Sequence, residues 1–229
     1  MMSESSGDPC IDGPRRSMRD EIKNVAARML TLRGYRGVSY GEIARELEIT
    51  TTNIHYHFGP KAQLVAAVLA DYIDQVSGRY RGIWTAQAST LMRKVEDTIV
   101  FNREAYTRLN PQGNEGNSWS LITRLSAEGE ALDDVMRERI VAFRRDIQTS
   151  AAIGIEVSVR SGELRGETPC NEIGRLMASC FLYAVHITRD SGGFRGLSQH
   201  YATQLDLIER SWGVVGGAVR HSKLRLIDR

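Results

Sequence analysis

Between Arg19 and Lys61 the sequence stops and restarts helices over very short distances, and few folds accept such punctuation. In "RDEIKNVAARMLTLRGY" the apolar positions Ile22, Val25, Ala26, Met29 and Leu30 recur at helical spacing, and Gly34 stands where a C-terminal cap belongs, which predicts a first helix over Arg19 to Arg33. Ser39 and Glu42 have the Ser-x-x-Glu spacing in which each side chain satisfies the other's backbone N–H. Ile43, Ala44 and Leu47 then form the inward face of a second, short helix. Thr50 is a good N-cap for a third, in which Ile54 and Phe58, four apart, point inward together. Gly59 ends it. Pro60, at a first-turn position where its missing N–H costs nothing, opens a fourth helix with the apolar stripe Leu64, Val68, Tyr72, Val76 and Tyr80.

Beyond Trp84 the pattern stays helical through "STLMRKVEDTIVFNREAYTRL", breaks at the Asn-, Gly- and Pro-rich "NPQGNEGN", and resumes in "WSLITRLS". The stretch from "GEALDD" reads as one long helix with acids near its start and an end near Arg160. Two last helices, about Cys170 to Asp190 and Ser198 to Val219, flank the turn "SGGF", with Ser198 as a fair N-cap. The expected fold class is all-α. Few aromatic residues and 41% apolar residues agree with it, and 229 residues leave room for a small helical head and a larger body. Residues 1–14, rich in Ser, Gly, Pro and Asp, read as a flexible lead.

Cys10, Cys170 and Cys180 are odd in number and widely spaced, which fits neither a zinc site nor a disulfide framework and points to a reduced, cytoplasmic setting. No apolar run approaches the roughly 18 residues of a membrane span, and the first residues lack the apolar centre of a signal peptide. The formal net charge of +2 announces no partner, so any basic surface must be local.

The stretch "TTNIHYHFGPK" invites three readings. As a metal site it is poor, because on a helix His55 and His57 point about 200° apart, whereas chelation wants i and i+4. As a catalytic site it offers only Thr52 or Tyr56 beside a His, with no nucleophile elbow. The third reading fits. Two short helices across a tight turn make a helix-turn-helix, whose second helix offers its N-terminal residues to base edges in the major groove. Thr51, Thr52, Asn53, His55, Tyr56 and His57 are compact hydrogen-bonding groups suited to that task, with Ser39 and Thr50 at the two helix starts. From Pro14 to Lys61 nine cations face five anions, the local excess that phosphate contact needs. Lys61, in the first turn of the fourth helix, adds its ammonium to free backbone N–H groups, and Arg15 and Arg16 could form an arm.

On these residues, "RDEIKNVAARMLTLRGYRGVSYGEIARELEITTTNIHYHFGPKAQLVAAVL" resembles the DNA-binding domain of TetR-type transcriptional regulators, most specifically in "NIHYHFGPKAQL". The resemblance implies about nine helices, three in a DNA-binding head and a fourth bridging to a ligand-binding and dimerisation body. It also implies DNA contacts at Thr51, Asn53, Tyr56 and Lys61. The sequence departs from the family at two positions: Glu48 stands in the turn where Gly is usual, and His55 stands where Tyr is most common.

The resulting expectation is a head over residues 15–61 and a body over 62–229, in a homodimeric repressor released from a palindromic double-stranded operator by a small-molecule effector. No enzymatic activity, metal, cofactor or membrane contact is expected. Polar or aromatic residues in apolar body helices are candidate effector contacts: Asn102, Tyr106, Trp119, Phe143, Tyr183 and His186. Ile173, Met177, Cys180, Ala184 and Ile187, with Tyr201, Leu205, Ile208, Trp212 and Val215, follow the 4-3 spacing of bundle seams. They make either an internal core or, in the sharper reading, a four-helix dimer interface. The rival functions are a DNA-binding co-regulator with a protein-interaction body and an all-helical metal-binding protein or enzyme.

Overall fold

In a computed structural model, residues 17–113 and 116–214 are described. Expectations for residues 1–14, for Arg15 and Arg16, and for Val215 lie outside them. The described residues form ten α-helices and one 3-10 turn. In order these are α1 (Met18–Arg33), α2 (Tyr40–Glu46), α3 (Thr51–Phe58), α4 (Lys61–Thr85), α5 (Leu91–Leu109), α6 (Leu121–Ser126), the 3-10 turn Gly129–Ala131, α7 (Asp134–Arg160), α8 (Cys170–Leu182), α9 (Ala184–Asp190) and α10 (Phe194–Trp212). They include no strand. A single bridge, Leu164 to Gly213, pins the loop after α7 to the end of α10.

The caps follow local chemistry. Ser39 and Glu42 form the reciprocal capping box, and Thr50 accepts from the Asn53 N–H. Asp133 caps α7 through the Met136 N–H, and α7 ends at Arg160. Two expectations need correction. The helix foreseen over Cys170 to Asp190 breaks at Tyr183, whose ψ of 11° leaves the helical range, and this division makes ten helices rather than about nine. Ser198 does not cap the last helix: α10 begins at Phe194, behind Gly193, because Phe194 and Leu197 are drawn into the core one turn earlier.

The long helix α7 lies at the centre of the body, packed on α4 and α8. Close approach is permitted by Gly154, which sits against the Trp84 ring, and by Gly174, where a Cβ would lie 2.5 Å from the Ala152 backbone. Lys94 is fully buried. Its ammonium donates to the carbonyls of Ala86 and Ser89 and so closes the turn between α4 and α5. In the head, Ile22, Ala26, Leu30, Ile43, Ile54 and Phe58 make a small core continuous with Leu64 and Val65 of α4.

Between α2 and α3 the chain turns through Glu48 at φ 55°, the one non-glycine residue with positive φ among the described residues. A side chain in this left-handed region costs roughly 1–2 kcal/mol, partly offset in a glycine variant by the extra freedom of the unfolded chain. Glu48→Gly is therefore expected to raise the unfolding free energy by about 0.5–1 kcal/mol. A higher urea midpoint at unchanged slope would establish this, and a lower midpoint would show that the turn is unstrained.

Candidate nucleic-acid interface

The turn and caps fix how α3 meets solvent. Ile54 and Phe58 anchor it to α1, α2 and α4, so the opposite face is turned outward. Thr51, Thr52, His55 and Tyr56 are exposed, while Asn53 and His57 are half-buried. Tyr56 projects furthest, with 86% of its surface accessible. The Asn53 amide oxygen is buried without a hydrogen-bond partner, and the N-cap bond uses only the Asn53 backbone N–H. Thr50 Oγ1 and Ser39 Oγ are both engaged in capping.

His55 is held rather than free. Its Nδ1 lies 3.1 Å from the Gly59 carbonyl, which also accepts from the Tyr40 hydroxyl at 3.0 Å, and the Tyr40 ring packs edge-on against the imidazole at 4.7 Å. With Nδ1 so occupied, Nε2 is left for an outside partner. His57 instead rests edge-on against the Tyr56 ring, so the two imidazoles do not converge. Among the described residues no group of three or more His, Cys, Asp or Glu is placed to hold a metal ion.

Lys61 is half-buried beneath this surface. Its ammonium donates to the Tyr35 carbonyl and lies 4.5 Å over the Tyr35 ring. Burial holds its pKa below the usual lysine value, against the pull of Glu128 and Glu42. Arg19 stacks over the Phe58 ring at 4.6 Å. The pairs Arg28–Glu46 and Arg33–Glu42 tie α1 to α2 across exposed surface, where each contributes little.

The body touches the head at a place the sequence did not flag. Glu128, just past α6, accepts from the Arg36 N–H at 2.9 Å, and Arg124 of α6 donates to the Arg33 carbonyl at 2.9 Å. Together they clasp the turn between α1 and α2 around Gly34. More than ninety positions separate the partners, so no local pattern could have announced the clasp.

The candidate effector residues do not gather around one space. Asn102, Tyr106, Trp119 and Phe143 are buried. Asn102 donates to the Tyr201 hydroxyl at 3.0 Å, Trp119 Nε1 donates to Thr188 Oγ1 at 3.1 Å, and Tyr106 packs edge-on against Trp119. Tyr183 and His186 lie on the surface at the break between α8 and α9, too exposed to wall an enclosed pocket with the other four. A cavity of about 10 Å³ between Tyr106, Asn117, Val185 and Thr188 has room for about one water.

The seam residues also require correction. Ile173, Met177, Cys180, Ala184, Tyr201, Leu205 and Ile208 are buried against this chain's own helices, and Ile187 and Trp212 pack half-buried on the same core. The 4-3 spacing therefore marks an internal core. The opposite faces of α8 and α10 carry the exposed apolar side chains Leu176 and Leu207, at 44% and 55% accessibility, and Tyr183 at the break after α8 is 58% accessible.

Comparison with known proteins places this geometry. The family model described as "Bacterial regulatory proteins, tetR family" matches residues 22–68. The HTH-type transcriptional repressor KstR2 of Mycolicibacterium smegmatis is 36% identical over 75 residues, covering 33% of this chain and 37% of that protein. KstR2 of Mycobacterium tuberculosis is 31% identical over 83 residues, 36% of this chain and 42% of its own length. The chain thus spans about two fifths of the length of these relatives. Over the whole fold, a TetR-family transcriptional regulator from Agrobacterium tumefaciens superposes with a TM-score of 0.71 at 17% identity, covering 83% of this chain and 96% of that one. Reduced Escherichia coli NemR gives 0.69 at 16% identity, with 82% and 95% covered.

Proposed function

We propose that the chain is a homodimeric transcriptional repressor of the TetR family, on the match of residues 22–68 to the model of bacterial regulatory proteins of that family. It reads a palindromic double-stranded operator and leaves it when a small molecule binds the body. In this proposal residues 15–61 are the reading head and 62–229 the effector and dimerisation body, acting in the cytoplasm without catalysis.

The observation that carries the reading is the outer face of α3. A short helix anchored by Ile54 and Phe58 turns Thr51, Thr52 and Tyr56 outward, with Asn53 half-buried beside them, a set of hydrogen-bonding groups of groove-reading size with no acid among them. His55 and His57 extend that surface, and Lys61 lies beneath it as a candidate phosphate contact. Two such helices, one from each subunit, would read half-sites about 34 to 36 Å apart.

Coupling between body and head has two physical routes. The helix α4 starts beside the recognition helix and continues into the body against α7, and the Arg124–Glu128 clasp holds the turn between α1 and α2. An effector that favours one arrangement of α4 and α6 therefore biases the head. A coupling of roughly 1–3 kcal/mol shifts operator affinity about 5- to 150-fold.

For the dimer, the outer faces of α8 and α10 are the apolar surface on offer. Leu176 stands on α8, Tyr183 at the break just past its end, and Leu207 on α10. A two-fold contact there would use each residue twice, so Leu207→Arg is expected to raise the dimer dissociation constant at least about tenfold. Light scattering across a dilution series reads this directly, and an unchanged dimer would move the interface elsewhere.

The test of the whole reading is a footprint on the DNA upstream of the protein's own gene, at two salt concentrations with random DNA as competitor, followed by selection from a random DNA pool. A protected palindrome supports the proposal. A chain that enriches no sequence from the pool is not an operator-binding protein.

A further inference from the structure

Among the outward side chains of α3, His55 is anchored before anything binds. It follows Thr51 by four residues and Thr52 by three, so the three share one exposed face of the helix. The imidazole is braced from two other places. The Tyr40 ring of α2 packs edge-on against it at 4.7 Å, and Nδ1 meets the Gly59 carbonyl, in the turn before α4, at 3.1 Å. Gly59 has φ 64°, a conformation that side chains resist, and its carbonyl is thereby free to face back to α3. The Tyr40 hydroxyl donates to the same oxygen at 3.0 Å and holds it in place.

A carbonyl oxygen only accepts, so the proton of this bond belongs to Nδ1. In the neutral ring that choice leaves Nε2 bare, an acceptor with no proton to give, on an exposed side chain. Such an atom cannot bond a phosphate oxygen, guanine O6 or N7, or thymine O4, all of which also accept. What it can accept from in the major groove is an exocyclic amine, cytosine N4 or adenine N6. Adenine sets its own acceptor, N7, beside that amine and so suits a side chain that both donates and accepts, as Asn and Gln do. Cytosine N4 asks only for an acceptor.

We propose that His55 is a specificity-determining residue that accepts, through an unprotonated Nε2, from the N4 amine of a cytosine in each operator half-site, with the Gly59 carbonyl fixing its tautomer and Tyr40 its place. The inference rests on the operator-binding reading above and adds to it one base and the direction of one hydrogen bond. Because the ring is already held, ordering this side chain on DNA costs little.

The experiment is selection from a random DNA pool with the full chain and with His55→Gln, His55→Arg and His55→Ala, all substitutions at an exposed helical position. The unsubstituted chain is expected to fix a cytosine at one place in each half-site, and replacing that C·G pair by T·A should weaken binding about tenfold per half-site. His55→Gln should move the preference there to adenine and His55→Arg to guanine, the bases whose edges those side chains match, while His55→Ala should accept any base pair at that place. The free chain supplies a second readout: nitrogen NMR shifts of the His55 ring, recorded well above the usual histidine titration range, should show the proton on Nδ1. Three outcomes would overturn the proposal: a proton on Nε2, a His55-dependent preference for a base other than cytosine, or a loss in His55→Ala that is equal for operator and random DNA and flattens the salt slope, the mark of a phosphate contact. A pool from which nothing is enriched would remove the operator-binding reading itself, whereas an enriched palindrome indifferent to the side chain of His55 would remove this inference alone.

Discussion

Gly34→Ala is expected to lower the unfolding free energy by about 2–4 kcal/mol, a large effect for one methyl group near a surface turn. Two independent causes act. The backbone at Gly34 has φ 78° and ψ −176°, a region that residues with a Cβ scarcely enter. The new Cβ would also overlap the Glu128 carboxylate and lie 2.9 Å from Arg124 Nε, where the clasp closes on the turn between α1 and α2. The causes separate in a double variant. Glu128→Ala alone loses the bond to the Arg36 N–H and costs about 1 kcal/mol. Added to Gly34→Ala it removes the overlap but leaves the backbone strain, so the double variant should be more stable than the sum of the two by about 1–2 kcal/mol. Denaturant unfolding of the four proteins closes the cycle, and simple additivity would mean that the body does not press on the head at this point. The same Glu128→Ala protein should also show a weaker effector response at its operator.

The contrast between Ser39 and Glu128 shows what the sequence could reveal. A capping box is written into four consecutive residues, so Ser39 and Glu42 locate the start of α2 without any tertiary information, and Thr50 does the same for α3. At Glu48 the sign came from the resemblance, in which Gly is usual at that place, and the positive φ itself is a finding of the structure. Glu128 carries no such mark. It reaches its partner only because α6 packs on α1. The 4-3 spacing of Met177, Cys180, Tyr201 and Leu205 lay between these cases: periodicity says which face of a helix is apolar but not what covers it, and here the cover is the chain's own core. The body's polar interior was visible only in part. Asn102 stood out as a polar residue in an apolar helix, whereas Ser77, Tyr80 and Ser198 look ordinary until their missing partners are seen in place.

Lys61→Ala is expected to weaken binding to operator and random DNA alike and to flatten the dependence of affinity on salt. Each phosphate contact contributes about 0.9 to the slope of log affinity against log salt, so loss of one in each subunit lowers the slope by roughly 1.8 for a dimer. The ammonium has three donors and spends one on the Tyr35 carbonyl, which leaves it aimed and partly desolvated but not saturated. Burial lowers its pKa, and the neighbouring Glu128 and Glu42 pull the other way. A purely structural role has a different signature. If Lys61 serves only to hold Tyr35, its removal lowers the stability of the head and, well below the melting temperature, leaves the salt slope intact. Tyr56→Phe supplies the contrast: it removes a hydroxyl and no charge, so it should cost operator affinity about 0.5–1.5 kcal/mol per subunit at unchanged slope. A flattened slope in Lys61→Ala beside an unchanged one in Tyr56→Phe would assign the first residue to the phosphates and the second to the groove. An unchanged slope in both would mean that the cations meeting the backbone lie elsewhere on the head, with Arg45 and Arg36, both exposed there, the next to replace.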